Sequence, residues 1–361
     1  MNFGEEQEMP IAPEALRRQR RLALYALSVL SLSFAGLSLF GTAAARAADS
    51  AVILMYQRFD EPTQPDSIST KSFQAHLTEL SDARYHVMSL PDVIAAFRSH
   101  TPLPDRTVVI TLDDAYQSAD EHAIPLLEQH HFPYTLFVTT DRVDESGPDY
   151  MTWDEIRAAA EQGATIGNHG ARPFHMVEMS EDANRDNITR GSMRIAKETG
   201  AKPTLFAYPY GEFDNADQAL LGAMGYAGAV SQYSGVATAD PTPFDLPRFS
   251  LVEAYSGMDR FRMIANALPL PVADLLPGDP KLADNPPPLG FTLTQKVSGA
   301  DALTCTPSVA GGKADVEHLG NRVEVRFDKP FPEGNGRVTC TTRTADDRLR
   351  WLGVPVYVPR K

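Results

Sequence analysis

The stretch Val108-Val109-Ile110-Thr111-Leu112-Asp113-Asp114 decides how the chain is read. Its apolar, β-branched run predicts a buried strand. The run then ends in two adjacent carboxylates. Like charges side by side are costly unless a cation neutralises one of them or a proton is shared. A strand tip of this kind therefore points to a metal-assisted acid–base site. A strand running into a helix start accounts for the same residues, because Asp suits the positive end of a helix dipole. On this stretch alone the two readings weigh evenly.

Outward from it, strands and helices alternate. Ala51-Val52-Ile53-Leu54-Met55-Tyr56 predicts a first strand, and helices are expected over about 70–80 and 90–98, the second opened by Pro91-Asp92. After the Asp pair come a helix to Gln129, the strand Tyr134-Thr135-Leu136-Phe137-Val138 and an amphipathic helix over 153–162. Further strands are expected at Thr165-Ile166-Gly167, Thr204-Leu205-Phe206-Ala207 and Gly228-Ala229-Val230. This order predicts a parallel sheet with helices on its faces. The fold class is α/β, a complete or incomplete (β/α) barrel over 48–270, with its site at the C-terminal ends of the strands. Pro and Gly crowd 271–288, which reads as a linker. Residues 289–361 hold short alternating strands such as Phe291-Thr292-Leu293-Thr294 and Arg322-Val323-Glu324-Val325-Arg326-Phe327, and are expected to form a small β-sandwich-like domain.

The 361 residues carry a net charge of −14, which argues against nucleic acid and anionic lipid surfaces as partners. Arg17-Arg18-Gln19-Arg20-Arg21, the uncharged run 22–40 and Ala45-Arg46-Ala47 form a secretory signal over 1–47, with cleavage expected after Ala47. A run of that length also suits an uncleaved signal anchor, and hence inner-membrane attachment through 22–40. Either way the globular part is exported, to the periplasm or beyond. Cys305 and Cys340 are the chain's two cysteines, and in an exported protein they are expected to form a disulfide.

Asn168-His169-Gly170-Ala171-Arg172-Pro173-Phe174-His175 follows a short strand. A lone loop histidine is usually a satisfied loop residue. Here two imidazoles at one strand end face an Asp pair at another, and His, His and Asp form a ligand set for catalytic zinc with one position open. The expected ligands of the Zn2+ are Asp114, His169 and His175.

With these motifs in hand, the chain resembles the polysaccharide deacetylases of the NodB-homology type. Thr111-Leu112-Asp113-Asp114-Ala115 is similar to their Thr-Phe-Asp-Asp-Gly motif, and Ile166-Gly167-Asn168-His169 to the start of their His motif. Phe206-Ala207-Tyr208-Pro209-Tyr210-Gly211-Glu212 is similar to their Arg-x-Pro-Tyr motif, and Met151-Thr152-Trp153-Asp154-Glu155-Ile156-Arg157 to the segment before the His motif. The resemblance covers roughly 51–270. It implies metal-dependent removal of acetyl groups from the N-acetylhexosamines of an acetylated polysaccharide. Asp113 would then act as general base toward the attacking water, Asp114 and His169 would hold the metal, and the Tyr210 backbone N–H would meet the developing oxyanion. Tyr208, Pro209 and Arg248 are expected on the substrate side; for Arg248, charge compensation of Asp113 and a solvated surface position stand as alternatives. Tyr208, Tyr210, Phe213, Tyr233 and Tyr255 suit either a sugar groove or core packing.

The chain also departs from the family pattern. Pro173 stands where a second His usually follows the first by four residues, Ala207 stands for Arg, Gln57 for His and Ala115 for Gly. No histidine occurs between His175 and His318. Two further readings therefore stay open: a catalytically degenerate, glycan-binding homologue, and an O-acetyl esterase acting on a polysaccharide.

Overall fold

The β-branched runs form the central sheet of the protein, described here from a computed structural model. The described residues are Met1, 47–61, 64–239 and 243–360. The basic stretch 17–21 and the apolar run 22–40 lie outside them. Among the described residues no helix is long and apolar enough to cross a membrane.

Strands β1 (Ser50–Tyr56), β2 (Thr107–Asp113), β3 (Tyr134–Val138), β4 (Thr165–Asn168), β5 (Leu205–Ala207) and β6 (Gly228–Val230) pair in parallel and in sequence order. The segment 246–250 draws the two ends together. Leu246 bridges to Val230, and β7 (Phe249–Ser250) pairs in parallel with β1. The sheet therefore curls into the incomplete barrel expected from the alternation of strands and helices. The chain enters at the opposite end from the Asp pair: Ala47–Ala48 pairs antiparallel with Leu103–Pro104, just before β2 begins.

The period-2 alternation of strand side chains divides the core. Val52, Leu54, Tyr56, Ile110, Leu112, Leu136 and Val138 pack outward under helices α1 (Thr70–Leu80), α3 (Trp153–Glu161), α4 (Glu181–Thr199) and α5 (Met258–Ala265). Ile53, Val109, Phe137, Leu205 and Val230 pack inside the curl, where Val93, Ile94 and Phe97 of helix α2 (Leu90–Ser99) join them. Side chains of this size buried completely contribute about 1.5–3 kcal/mol each. The helix starts are fixed locally: Ser69, Ser89, Thr152 and Ser180 each accept from a backbone N–H of the first turn, and Thr152 with Glu155 completes a capping box.

One buried titratable group lies in the outer layer. His76 is fully buried, stacked on Phe261 with ring centroids 4.0 Å apart. Its Nε2 donates to the Ser256 carbonyl at 2.7 Å, and its Nδ1 accepts from the Tyr56 hydroxyl at 3.0 Å. This arrangement requires the neutral ring, and burial holds the His76 pKa below its ordinary value. The unfolded chain then binds the proton more readily than the folded one. Stability is complete above the ordinary histidine pKa of about 6.5 and falls as pH drops through the lowered value. Urea denaturation is expected to show this loss between pH 7 and 5, and His76→Gln is expected to flatten it. An unchanged slope in the variant would assign the acid sensitivity to other groups.

Beyond residue 267 the chain forms two four-stranded sheets. One is ordered Leu268–Pro269, β14 (Leu349–Val358), β13 (Gly334–Arg343), β10 (Thr304–Pro307); the other β8 (Val272–Leu276), β9 (Leu289–Leu293), β12 (Arg322–Phe327), β11 (Ala314–Leu319). Strand β8 thus falls within the Pro-rich stretch read as linker. The sheets enclose Leu289, Phe291, Val323, Val325, Val338, Val354 and Val356. Cys305 and Cys340 sit directly opposite each other on β10 and β13 and form the expected disulfide, a cross-link worth about 2–4 kcal/mol by restricting the unfolded chain. This sandwich packs on the curled sheet. Arg348 pairs with Asp105 at 2.9 Å, and Trp351 meets Phe249 edge-on at 5.0 Å. The approach depends on Gly353, where a Cβ would lie 2.0 Å from the Ser234 carbonyl oxygen.

Candidate functional site

Val109, Thr111 and Asp113 share the inner face of β2, which aims the Asp113 carboxylate into the curl. There it meets Arg248, delivered by the closing segment. Nη1 and Nη2 of Arg248 each donate to one Asp113 oxygen at 2.7 Å, Nη1 also donates to Thr111 Oγ1 at 3.0 Å, and Nε donates to the Ser231 carbonyl at 2.7 Å. Both side chains are fully buried, with no exposed area on either. Arg248 therefore compensates the charge of Asp113 and has no surface for substrate. Its proposed substrate-binding role is corrected on that ground. A guanidinium, which the Arg-x-Pro-Tyr motif lacks at Ala207, thus reaches the carboxylate from the segment just before β7.

Asp114 begins the loop after β2, and both it and Ala115 adopt left-handed backbone, at φ 70° and 53°. Such a conformation costs an L-residue roughly 1–2 kcal/mol and none to glycine, which accounts for the glycine of the family motif at Ala115. The turn swings the Asp114 carboxylate away from Asp113. Its Oδ2 accepts from Gln57 Nε2 at 2.6 Å and its Oδ1 from Thr139 Oγ1 at 2.8 Å. His169 Nε2 lies 3.8 Å from Oδ1. At the end of β4, Asn168 fixes the His169 backbone by donating to Tyr226 Oη and the Ile188 carbonyl and by accepting from the Gly170 N–H. His169 is 3% exposed, and its Nδ1 bonds the Ala207 carbonyl at 2.7 Å. A carbonyl only accepts, so Nδ1 carries a proton and Nε2 is the ring atom turned toward Asp114, where it can offer a lone pair to a cation. Two electron-rich atoms facing each other across this gap are a donor pair suited to a cation, with the imidazole oriented from behind as metal-ligating histidines are.

The third expected ligand is elsewhere. His175 Nδ1 bonds Glu212 Oε2 at 2.5 Å, and its ring stacks on Tyr210 with centroids 4.6 Å apart. Among the described residues no group of three or more His, Cys, Asp or Glu side chains is placed to hold a metal ion. Asp114 and His169 are brought together; His175 is not brought to them. Pro173 lies between the two histidines, and in the loop after β5 His175 turns instead to Glu212, which is 4% exposed and whose pKa burial raises, the His175 contact opposing the shift.

Tyr208 and Pro209 are buried, and Tyr208 spends its hydroxyl on the Phe244 carbonyl and stacks on Phe213. Their expected contact with substrate through side chains gives way to core packing, as it does for Phe213 and Tyr233. Tyr210 and Tyr255 are the exposed members of that set, at 44% and 56%. Tyr210 sits at φ 59° in a one-turn 3-10 helix (Pro209–Gly211), whose second amide has no acceptor within the turn. Gly211 follows at φ 70°, where a Cβ would lie 2.6 Å from the Gln232 backbone nitrogen.

Sequence reasoning missed Thr139 and a stacked rim beside Asp114. Arg58 lies over Tyr116 at 4.6 Å, and Tyr116 stacks on Tyr150 at 4.9 Å. Burial, and then the charge of Asp114, pushes the Tyr116 phenol well up, so it stays a neutral donor. A signal existed for Thr139, a polar residue directly after an apolar strand. None existed for Tyr150, which meets Tyr116 through an isolated antiparallel bridge.

The chain's comparisons with known proteins agree with the motifs. Residues 100–229 match the family model for polysaccharide deacetylase. The Bacillus subtilis (strain 168) protein YxkH, itself named provisionally as a polysaccharide deacetylase, is 20% identical over 205 residues, which are 57% of this chain and 72% of YxkH. The poly-beta-1,6-N-acetyl-D-glucosamine N-deacetylase of Escherichia coli (strain K12) is 21% identical over 214 residues, 48% of this chain and 32% of that enzyme. This chain thus spans about a third of the length of the E. coli relative. Among solved structures, the Streptococcus pyogenes deacetylase PplD, in complex with acetate, superposes with a TM-score of 0.56 at 18% identity, over 60% of this chain and 98% of that one. At that identity the likeness establishes the fold.

Proposed function

We propose that this protein is an exported hydrolase that removes N-acetyl groups from an N-acetylhexosamine polysaccharide with the help of a divalent cation, taken here as zinc. One observation carries the reading: the Asp114 and His169 donor pair, 3.8 Å apart, at the strand ends beside the buried Asp113–Arg248 pair. Asp114 and His169 would hold the cation. When bound, it would supply Lewis acidity toward water and the acetyl carbonyl. Asp113, oriented by Arg248, is the base that the resemblance assigns, a role that requires the attacking water to enter beside its fully buried carboxylate, and the Tyr210 N–H would meet the oxygen on which charge develops. Export is supported by the N-terminal signal pattern and fits the Cys305–Cys340 disulfide.

A second reading has its own support. With two protein ligands in reach and Gln57 on the other Asp114 oxygen, the site suits a glycan-binding homologue that does not turn its polymer over. Acetate release from N-acetylglucosamine oligomers by the purified full chain, with its metal content, separates the readings. Release that chelation abolishes and zinc restores is expected. Oligomer binding without acetate, in the presence of zinc, would establish the degenerate homologue; acetate from O-acetylated sugars alone would establish the esterase.

A further inference from the structure

We infer that the C-terminal sandwich is a working part of the site: Asn335 and Tyr357 are positioning residues that hold the Tyr210 peptide and the His175 loop in place. The inference rests on the reading above, in which the Tyr210 N–H serves the oxyanion. Asn335 on β13 and Tyr357 on β14 are directly opposed in an antiparallel pair, so their side chains leave the sheet on the same side. That side faces the curled sheet. Asn335 Nδ2 donates to the Tyr210 carbonyl at 3.0 Å, across 125 residues of sequence. The Tyr357 hydroxyl bonds Glu178, in the 3-10 turn (Met176–Glu178) that directly follows His175, and Arg360 pairs with the same Glu178 at 3.3 Å. Lys281, bridged to Tyr357, donates to the Val177 carbonyl at 2.6 Å.

The two loops so held are also joined to each other, by the His175–Glu212 bond and the His175–Tyr210 stack. Their need for a brace follows from the backbone. Tyr210 occupies left-handed space that an aromatic residue avoids, and a residue there persists only where its surroundings over-determine it. Within the curled sheet, Ser231 Oγ donates to the Gly211 carbonyl. Asn335 holds the preceding carbonyl, so both peptides that follow the Tyr210 amide are pinned, one from each side of the molecule.

The test uses the full chain. Asn335→Asp keeps the size of the side chain and turns a donor toward a carbonyl into an acceptor; Tyr357→Phe keeps the ring and removes the hydroxyl. In each, kcat for acetate release is expected to fall by about 10- to 100-fold with KM unchanged, short of the 10²–10³ expected for loss of an oxyanion donor itself. The thermal midpoint of Asn335→Asp is expected to match wild type, since Asn335 is exposed. Hydrogen exchange of the peptide 208–214 is expected to speed up in both. Wild-type kcat in Asn335→Asp would overturn the inference and leave the deacetylase reading standing. If the wild-type chain releases no acetate, that reading fails; faster exchange over 208–214 in Asn335→Asp would then still support the brace, and unchanged exchange would overturn it.

Discussion

Arg248→Met is expected to cost about 3–5 kcal/mol of stability in urea denaturation, because it strands a fully buried carboxylate without its partner. Asp113→Leu should cost a similar amount by leaving the guanidinium unpaired. The double variant Arg248→Met/Asp113→Leu is expected to recover much of either loss, since replacing both members of a buried pair by apolar groups avoids the stranded charge. A single variant that loses under about 1 kcal/mol would mean that water reaches the pair. The pair is therefore a poor source of net stability and a strict source of geometry.

The second large effect is catalytic. Asp113→Asn keeps the shape of the side chain and removes its ability to take a proton, so acetate release is expected to fall by about 10²–10⁴ with zinc content unchanged. His169→Ala is expected to lose zinc and activity together. Equal zinc binding by wild type and His169→Ala would remove the Asp114–His169 pair as the metal's seat. Full activity in Asp113→Asn would pass the base to another group, and Asp114, with Gln57 and Thr139 on its two oxygens, would be the first to examine.

What was legible in the sequence follows from the range of the forces involved. The strands were readable because each is a local apolar run, and the strand-end position of the Asp pair followed from the order of strands and helices. The Asp114–His169 approach followed from the same logic, since each residue directly follows the C-terminal end of a parallel strand of one sheet. For Arg248 the sequence offered charge compensation of Asp113 beside a solvated surface position and could not choose between them: the two residues lie 135 apart, and only closure of the sheet through Leu246 and β7 joins them. His175 looked like a ligand by residue type and proximity in sequence. Its fate was decided by Glu212, a buried carboxylate whose nearness depends on how two loops pack. Tyr208 and Phe213 illustrate a further limit, because an aromatic residue beside a site has the same composition signal whether it faces solvent or core.

The pairing of Ala47–Ala48 with Leu103–Pro104 marks one end of the curled sheet. It lies before the start of β2, and the Asp pair lies at the other end of that strand, about 20 Å away at the usual rise per residue. The strand pair therefore covers the N-terminal edge of the sheet and leaves the C-terminal strand ends, where Asp113 and His169 lie, clear of it.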